Sequence, residues 1–508
     1  MLAIGVGGLT VVGALCGSPY HITHQNVVGI RLEGTLPAWS SAKDIALHLL
    51  GTLSVKGGVG KILEFYGPGV ASLSVFERST ICNMGAEAGA TASLFPSDTN
   101  TRDFLKSFGR EEDWRPICAD DGAAYDEEIC IHLSEIEPMV ALPHSPDNVR
   151  PVRELEGLPL DQVCIGSCTN ASYPDIAIVA NIWNNRRLPQ NLDVCVNAGT
   201  RKTLYQLMCE GKTAALLEAG ARLLEPCCGP CNAAGMSPGS GKTSLRTFNR
   251  NFKGRSGTAD ALVYLCSPQT AAVSALSGKL TDPRSFGAMP TVAIPSSFAY
   301  AFRPPRAIPD DAFTVPHGPN IKPMPMGKPV PDSLTLKVCL IAGDNITTDH
   351  ILPGGAELLA LRSNVPDSVP YVFSRIDPSF GKNTASLPPE WCVVAGSNFG
   401  QGSSREHAVM VPLYLGMRAV LAKSFARIYR TNLINFGILP LEIVSEDNSA
   451  DISLNDELSI SGIHASLKTG EFSVINGGKR ISCRCVLSPE EQEMLVLGGV
   501  LRKLSVIQ

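Results

Sequence analysis

The chain has 508 residues, of which 44% are hydrophobic and 18% are charged, and its formal net charge is −5. This length is enough for about three globular domains, and no polar low-complexity tract points to disorder. The negative charge is spread along the chain without a basic patch, which argues against nucleic acid as a partner.

The cysteines and the first residues of the chain bear on its location. The 16 cysteines lack the density of a small disulfide-linked scaffold, so they favour a reducing compartment. The apolar start, residues 1–16, has no Lys or Arg before Arg31 and is interrupted by glycines, so it is neither a typical export signal nor long enough to cross a bilayer. We therefore expect a cytoplasmic protein that does not associate with membranes. Six cysteines in apolar surroundings are expected to be buried: Cys16, Cys82, Cys195, Cys209, Cys266 and Cys339.

Strand-like and helical segments alternate through the first half of the chain. This alternation is typical of layered α/β domains. The hydrophobic pattern predicts strands at 27–32, 163–165 and 192–196, and helices at 41–53, 175–183 and 203–217.

A proline-rich segment divides the chain. Residues 290–331 carry many prolines and little periodicity, which predicts a semi-rigid, extended linker. The expected organisation is an N-terminal α/β region, a domain holding the cysteine motifs, the linker and a C-terminal domain, with boundaries 1–155, 156–289, 290–333 and 334–508.

Three cysteines carry most of the chemical information. Cys168 lies in Ile-Gly-Ser-Cys-Thr-Asn, and Cys228 and Cys231 lie in Cys-Cys-Gly-Pro-Cys. They supply three thiolates and no obvious fourth, whereas a 4Fe-4S cluster is normally held by four cysteines. This count suits a cluster with one open iron, which could act as a Lewis acid on a substrate oxygen.

Other interpretations of these cysteines stay open. Cys-Gly-Pro-Cys is also a dithiol redox motif, but that motif needs a helix starting at the second cysteine, and a loop rich in glycine follows here. A zinc site would need a fourth Cys or His at similar spacing, and Cys227 is too close in sequence to be an obvious one.

A second motif lies in the C-terminal part, where Gly-Gln-Gly-Ser-Ser-Arg-Glu-His (400–407) precedes an apolar segment. The pattern predicts a helix at 408–415, and Ser403 with Glu406 fits a capping box at its start. A helix N-terminus beside Arg405 would also stabilise an anion or a serine alkoxide. The two interpretations are compatible.

Two further polar runs call for an explanation. Asn-Arg-Asn-Phe-Lys-Gly-Arg spans 249–255, and Asp-Asn-Ile-Thr-Thr-Asp-His at 344–350 precedes Arg362. Arginine forks bind carboxylates through two parallel hydrogen bonds. Taken singly, each of these arginines also fits a solvated surface.

Together these motifs resemble the aconitase family of iron-sulfur hydro-lyases, in particular its single-chain bacterial members. The resemblance covers nearly the whole chain. The runs that carry it are Gly-Ser-Cys-Thr-Asn, Cys-Gly-Pro-Cys, Asn-Arg-Asn-Phe-Lys-Gly-Arg, Thr-Thr-Asp-His and Gly-Ser-Ser-Arg-Glu-His, with Ala-Thr-Ala-Ser-Leu-Phe-Pro-Ser-Asp at 90–98 and Lys-Ser-Phe-Ala-Arg-Ile at 423–428.

The resemblance implies a multi-domain α/β fold with a C-terminal swivel domain, and the interconversion of citrate and isocitrate through cis-aconitate in the tricarboxylic acid cycle. A 4Fe-4S cluster and a tricarboxylate substrate follow from it. By motif match, Cys168, Cys228 and Cys231 would hold the cluster, and Ser403 would be the base. Further catalytic positions would be Glu87, Asp349 and His350. The implied substrate-binding residues are Asn83, Asn249, Arg250, Arg255, Arg362, Ser404 and Arg405.

The chain also departs from the family pattern. Members normally begin with a further segment of about 150 residues, an ordinary domain size, whose Asp-His pair and Asp-Ser-His-Thr run help to protonate the departing hydroxyl. We therefore expect a truncated sequence or a separate chain that supplies this segment. The alternatives are an impaired paralogue with a cluster-binding or regulatory role, a hydro-lyase acting on isopropylmalate or homoaconitate, and a dithiol oxidoreductase. Smaller departures are Asn232, Ala233 and Tyr429.

Overall fold

The structure is a computed structural model that describes residues 1–20, 22, 24–298, 317–354, 358, 360–402, 405–444 and 452–507. The chain forms two compact units. The first comprises Met1–Ile4 and His24–Ala307, and the second comprises Gly5–Thr23 and Ile308–Gln508.

The strands are numbered in chain order across both units. They are β1 Leu2–Ile4, β2 Asn26–Glu33, β3 Lys61–Tyr66, β4 Ala92–Leu94, β5 Glu127–His132, β6 Met139–Ala141, β7 Val149–Pro151, β8 Gln162–Ile165, β9 Asp193–Asn197, β10 Arg222–Leu224, β11 Thr243–Arg246, β12 Leu262–Leu265, β13 Ser333–Ile341, β14 Trp391–Ala395, β15 Met417–Ala422, β16 Leu439–Ile443, β17 Glu457–Ser461, β18 Glu471–Asn476 and β19 Lys479–Arg484.

The helices of the described residues follow the same convention. They are α1 Gly8–Leu15, α2 Ala42–Leu53, α3 Val75–Gly85, α4 Thr99–Ser107, α5 Tyr173–Trp183, α6 Arg201–Cys209, α7 Lys212–Ala219, α8 Pro268–Ser277, α9 Thr348–Ile351, α10 Val365–Ser368, α11 His407–Tyr414, α12 Arg427–Asn435, α13 Ile463–Thr469, α14 Pro489–Leu497 and α15 Val500–Ile507. Short 3-10 turns occupy Pro68–Ser72, Ala86–Ala88, Glu111–Asp113, Leu133–Glu135, Val152–Glu154, Gly229–Asn232, Pro283–Phe286, Val369–Tyr371, Phe380–Lys382 and Thr384–Ser386.

The first unit contains two sheets. The five-stranded sheet has the order β1-β4-β3-β2-β5, and all its pairs except β1 with β4 are parallel. The seven-stranded sheet has the order β10-β9-β8-β11-β12-β6-β7, and its five strands from β10 to β12 are parallel. From β8 the chain runs outward through β9 to β10, then returns to the other side of β8 for β11 and β12. The direction in which the chain moves across the sheet therefore reverses between β8 and β11, although these two strands are parallel.

The second unit is built on a closed barrel of order β13-β14-β15-β16-β19-β18-β17. Strands β14 and β15 are parallel to their neighbours and buried along their whole length. Cys392 and Val394 face one apolar cluster and Trp391 and Val393 another, which is the pattern of a parallel strand covered on both faces.

The α/β class is confirmed, and so are most of the predicted elements. The predicted strands at 27–32, 163–165 and 192–196 correspond to β2, β8 and β9, and the helices at 41–53 and 175–183 to α2 and α5. Helix α2 begins after Ser41, whose backbone N–H and hydroxyl each donate to Asp44 Oδ2 at 2.8 Å in a capping box. Helix α11 continues through Pro412 as expected.

Two sequence-based expectations are wrong, and a third is not tested. The predicted helix at 203–217 is two helices, α6 and α7, because Gly211 adopts a left-handed conformation (φ 71°) that ends the first. Cys16 and Cys209 are exposed and Cys339 is only partly buried, whereas Cys82, Cys195 and Cys266 are buried as expected. Glu406 precedes α11 and accepts a hydrogen bond from Leu9 N at 2.7 Å, but Ser403 lies outside the described residues, so the expected Ser403–Glu406 capping box stays a prediction.

The proposed linker falls partly outside the described residues. Phe298 packs in the core of the first unit against Phe108 and Tyr173. In the second unit, the carbonyls of Lys328 and Pro329 accept hydrogen bonds from Arg418 at 3.0 and 2.8 Å. The predicted domain boundaries and the linker stay predictions. Among the residues described, no helix combines the length and apolar character needed to cross a bilayer.

Arg78 of α3 connects its helix to the segments around Val70 and Asp98. Its side chain is fully buried, and its guanidinium donates to the two carboxylate oxygens of Asp98 at 2.9 and 2.6 Å. It also donates to the carbonyls of Val70, Leu73 and Pro96. Burial alone would raise the pKa of Asp98, but the hydrogen bonds and charge of Arg78 outweigh it and hold that pKa below its ordinary value.

We predict that Arg78→Met lowers the free energy of unfolding by about 2 kcal/mol, less than for a fully buried pair because the Asp98 side chain is 30% exposed. The pKa of Asp98 is lower in the folded state than in the unfolded state, where it has its ordinary value of 3.8. The pair therefore stabilises the protein fully at pH values above 3.8, and this contribution is lost as the pH falls through the folded-state pKa. Denaturant titrations at neutral and acid pH should show the difference between variant and wild type shrinking in acid.

The matched control is Arg102→Met on α4. Its ion pair with Asp103 is exposed, at 42% and 64% of the two side chains, so the cost should stay below about 1 kcal/mol. Equal losses for the two variants would contradict a special role for Arg78.

Candidate active site

The three predicted cluster cysteines lie at one edge of the seven-stranded sheet. Cys168 follows the end of β8, and Cys228 and Cys231 follow the end of β10, with Cys231 in the turn Gly229–Asn232. Because β8, β9 and β10 are parallel, their carboxyl ends meet at the same edge. The run that starts at Asn249 follows β11 there, on the other side of the point where the chain changes direction. In open α/β sheets, ligands bind at such a point.

The Gly-Ser-Cys run makes a tight turn that the sequence explains. Gly166 has φ 130°, and a Cβ on it would lie 2.1 Å from the carbonyl oxygen of Asn197, so only glycine fits. Ser167 also has a positive φ of 66°, and its N–H donates to Asn197 Oδ1 at 3.3 Å. The turn therefore carries Cys168 directly off the end of β8.

Asparagine and arginine side chains surround these thiols. Cys168 Sγ lies 3.8 Å from Asn83 Oδ1, and Cys231 Sγ lies 3.8 Å from Asn249 Oδ1 and 3.9 Å from Arg255 Nη2. A hydrogen bond from the Cys228 thiol, with the charge of Arg255 nearby, lowers the pKa of Cys231 despite its burial. The same hydrogen bond raises the pKa of Cys228. Cys231 is therefore the more readily deprotonated of the two.

Glu87 joins the turn after α3 to the segment after β11. Its side chain is only 3% exposed, and it accepts hydrogen bonds from Asn249 Nδ2 at 2.7 Å and Arg250 Nε at 2.9 Å. The Arg250 side chain is 26% exposed, so it is fixed at one side and open to solvent at the other. In the first unit, the structure thus brings together Asn83, Glu87, Cys168, Cys228, Cys231, Asn249, Arg250 and Arg255.

The second unit holds another set of predicted site residues. Arg405 Nη1 donates to Asp349 Oδ1 and to the carbonyl of Leu352, at 2.8 and 2.9 Å. Arg405 and Arg362 line one pocket with His407, whose Nε2 lies 2.7 Å from the Arg362 carbonyl oxygen. A Cβ on Gly354 would lie 2.1 Å from Arg405 Nη2, so the glycine lets the guanidinium approach.

His350 is positioned by its own helix. Its Nδ1 lies 3.0 Å from Thr347 N and 2.9 Å from Thr347 Oγ1, in the capping box of α9. The predicted base Ser403 and its neighbour Ser404 lie outside the described residues. The roles assigned to all these residues stay predictions.

Sequence reasoning missed two buried cations that hold the candidate site. The Nζ of Lys43 on α2 donates to the carbonyls of Thr247 and Phe248 at 3.1 and 2.6 Å, directly before Asn249. Burial lowers the pKa of Lys43 to about 8. Burial likewise raises the pKa of its neighbour Asp44 to about 6. The signal in the sequence is a charged pair on the face of α2 that the apolar pattern assigns to the core.

Arg246 at the end of β11 is the second buried cation, with no exposed surface. It donates from Nη1 to the carbonyl of Pro230 at 2.6 Å, from Nη2 to Gln162 Oε1 at 2.8 Å, and from Nε to Ser244 Oγ at 2.8 Å. Across the described residues, no carboxylate forms an ion pair with it. Since Pro230 lies between Cys228 and Cys231, Arg246 fastens the cysteine turn to the sheet.

Comparisons with known proteins agree with this geometry. The family model for the aconitase family (aconitate hydratase) matches residues 1–157 and 153–278, and the model for the aconitase C-terminal domain matches 380–446. The chain therefore belongs to the aconitase family. This confirms the family predicted from the motifs, and the class of protein is that of the aconitase-type hydro-lyases.

Several relatives cover nearly the whole chain. An aconitase-ribosomal protein bL21m fusion protein of Schizosaccharomyces pombe is 33% identical, covering 92% of this chain and 58% of that protein. A putative mitochondrial aconitate hydratase of Aspergillus fumigatus is also 33% identical (92% and 68%), and a probable one of Caenorhabditis elegans is 31% identical (100% and 74%). The chain thus spans between about half and three quarters of the length of these relatives.

A solved 3-isopropylmalate dehydratase of Methanocaldococcus jannaschii is 32% identical and covers 34% of this chain and 95% of its own, with a TM-score of 0.29. The predicted cytoplasmic location is wrong, because the matching aconitate hydratases of Aspergillus fumigatus, Candida albicans and Schizosaccharomyces pombe are named as mitochondrial.

We predict that Arg246→Lys speeds alkylation of the buried Cys231 by about tenfold, because the compact ammonium lacks the planar fork whose separate nitrogens reach Ser244, Pro230 and Gln162, so the cysteine turn opens more often. Peptide mapping by mass spectrometry after timed exposure of the metal-free protein to iodoacetamide would measure the rate. Thermal melts would establish that the variant is folded.

Arg222→Lys is the matched control. Its guanidinium pairs with Asp193 in the same unit and its side chain is 65% exposed, so the alkylation rate should not change. An unchanged rate in Arg246→Lys would show that the turn does not depend on this anchor.

Proposed function

We propose that this chain carries the cluster-binding and C-terminal parts of an aconitase-type hydro-lyase that interconverts citrate and isocitrate through cis-aconitate. The observation that carries the proposal is the convergence of three cysteines with Glu87, Asn249 and the arginines at one sheet edge. The names of the relatives support a place in the tricarboxylic acid cycle and a mitochondrial location.

The residues at the sheet edge fit a 4Fe-4S cluster. Three thiols from two strand ends supply three ligands, and one of them already has a lowered pKa. The Nε of Arg255 is buried and has no hydrogen-bond partner among the residues that the structure describes, so the site keeps an unused donor beside Cys231. Cys168, Cys228 and Cys231 would hold the cluster, which when bound supplies a Lewis-acidic iron for the substrate's hydroxyl and carboxylate.

The chain's own residues would bind and orient the substrate. Arg250, fixed on one side by Glu87, would present its open side to a carboxylate of the tricarboxylate, and Arg255 would add a second cation. In the second unit, Asp349 orients Arg405 beside Arg362, a pair of cations suited to a carboxylate. Holding the carboxylates at fixed positions reduces the entropy lost on reaching the transition state.

Proton transfer is assigned by the family motif. Ser403 would remove the carbon-bound proton, since a serine can do so only where its alkoxide is stabilised, and Arg405 is two residues away in sequence. Asn83 and Glu87 would lie nearest the departing hydroxyl.

We predict that the protein, reconstituted anaerobically with iron and sulfide, binds one 4Fe-4S cluster, and that Cys168→Ser, Cys228→Ser or Cys231→Ser abolishes it. Iron and sulfide analysis with absorption spectra would measure this. Cys227→Ser is the matched control, because it is exposed and adjacent to Cys228 but is not assigned as a ligand. Stoichiometric zinc without sulfide, or loss of the cluster in the control variant, would contradict the assignment of these three cysteines as cluster ligands.

We also predict that Arg250→Lys weakens citrate binding to the reconstituted protein by about tenfold to a hundredfold, as expected for loss of a charge-assisted bidentate contact. Isothermal titration would measure the dissociation constant, and Arg222→Lys should bind citrate as the wild type does. Unchanged binding in Arg250→Lys, with the cluster intact, would remove this arginine from the substrate site and leave the cluster assignment standing.

A further inference from the structure

The outer face of the five-stranded sheet carries a cluster of metal-ligating side chains that the proposed function does not use. Strand β5 lies at the edge of this sheet, parallel to β2, with His132 opposite Glu33 and Cys130 opposite Arg31. Cys130 and His132 are two residues apart on one strand, so their side chains share a face. Both are exposed, while Ile131 between them packs in the core.

The ligand atoms of these side chains are close together. Glu33 Oε2 lies 3.3 Å from His132 Nδ1, and Cys130 Sγ lies 4.0 Å from His132 Nε2. One ligand atom from each of the three lies within 4.8 Å of the others. Tetrahedral zinc, with bonds of about 2.0–2.3 Å, places its ligand atoms roughly 3.3–3.6 Å apart. The Glu33 distance runs to Nδ1 of His132 and the Cys130 distance to Nε2, and one ion binds only one of these nitrogens. The exposed His132 and Cys130 side chains must therefore rotate for all three ligands to meet a single ion.

Arg31 orients the carboxylate of Glu33. Its Nε lies 3.0 Å from Glu33 Oε1, whereas the other oxygen, Oε2, faces His132. Groups that hold a metal ligand from outside in this way fix its orientation. Arg31 thus aims one oxygen of Glu33 at the site and leaves the carboxylate unable to turn away without breaking the ion pair.

We propose that Glu33, Cys130 and His132 bind a divalent transition-metal ion of the zinc class. A thiolate and a carboxylate balance its two positive charges, and a neutral imidazole completes a ligand set that zinc prefers. Three protein ligands leave a fourth position for water. Over the ranges that the structure describes, this is the one cluster of three His, Cys or acidic side chains with ligand atoms so close. It does not depend on the proposed function, since it lies on a different sheet from the three cluster cysteines.

Cobalt(II) is the probe, because a cobalt–thiolate bond absorbs in the near ultraviolet. The full 508-residue chain carrying Cys168→Ser, Cys228→Ser and Cys231→Ser is titrated with Co²⁺ under nitrogen, which removes the other thiol cluster. We expect one equivalent of Co²⁺ to bind and to give a thiolate charge-transfer band. Added zinc should displace the cobalt and remove the band. The further change Cys130→Ser should abolish the band, and His132→Asn and Glu33→Gln should each weaken binding by at least about tenfold.

Two matched controls accompany these variants. Cys118→Ser removes another exposed cysteine, and Glu127→Gln removes another carboxylate of β5, which pairs with Lys61 instead. Both should leave the titration unchanged. A charge-transfer band that persists in Cys130→Ser, or an affinity that neither His132→Asn nor Glu33→Gln alters, would overturn the proposal. All the substituted side chains of the metal site lie at the surface of the sheet, so thermal melts should show no loss of the fold.

Discussion

The candidate site depends on one constraint of the seven-stranded sheet, the change of chain direction between β8 and β11. Parallel strands place all their carboxyl ends at one edge, and the reversal separates the connections on the two sides of β8. A space is left there that backbone cannot fill. Cys168 enters it from β8, and Asn249 and Arg250 enter it from β11. Site residues that are far apart in sequence therefore meet at this edge, although their motifs are not adjacent along the chain.

Buried cations stabilise this edge in an unusual way. Lys43 and Arg246 both donate to backbone carbonyls that flank the site residues, at Thr247, Phe248 and Pro230. A buried ion normally requires an opposite charge or a complete set of hydrogen bonds. Here neutral carbonyl oxygens of the loops accept the hydrogen bonds of the cations, in the place where a carboxylate would ordinarily stand. The energetic cost of burying each cation is offset only while the loops keep their conformation.

The sequence predicts the elements and motifs well but not the anchors. The three cysteines, the asparagine–arginine run and Glu87 are found by motif because chemistry restricts which residue types can occupy those positions. Lys43 and Arg246 escape because a charged residue is ordinarily assigned to the surface. The apolar pattern of α2 places Lys43 on the buried face, but only the tertiary contacts show which groups satisfy each cation. The break at Gly211 within the predicted helix at 203–217, and the contact between Glu406 and Leu9, likewise depend on backbone conformation and on partners distant in sequence. The Glu33, Cys130 and His132 cluster needs the register of β2 with β5, which no local pattern encodes.

The two anchors of the sheet edge differ in how they respond to acidity. An arginine keeps its proton under all physiological conditions. The ammonium of Lys43 does not, because burial has brought its pKa to about 8. As the pH rises, the donor to the carbonyls of Thr247 and Phe248 thus changes from a charged ammonium to a neutral amine. The turn between Cys228 and Cys231 keeps its hydrogen bond from the charged guanidinium of Arg246. In a mildly alkaline compartment the segment after β11 is therefore held less firmly, while the cysteine turn stays fixed to the sheet.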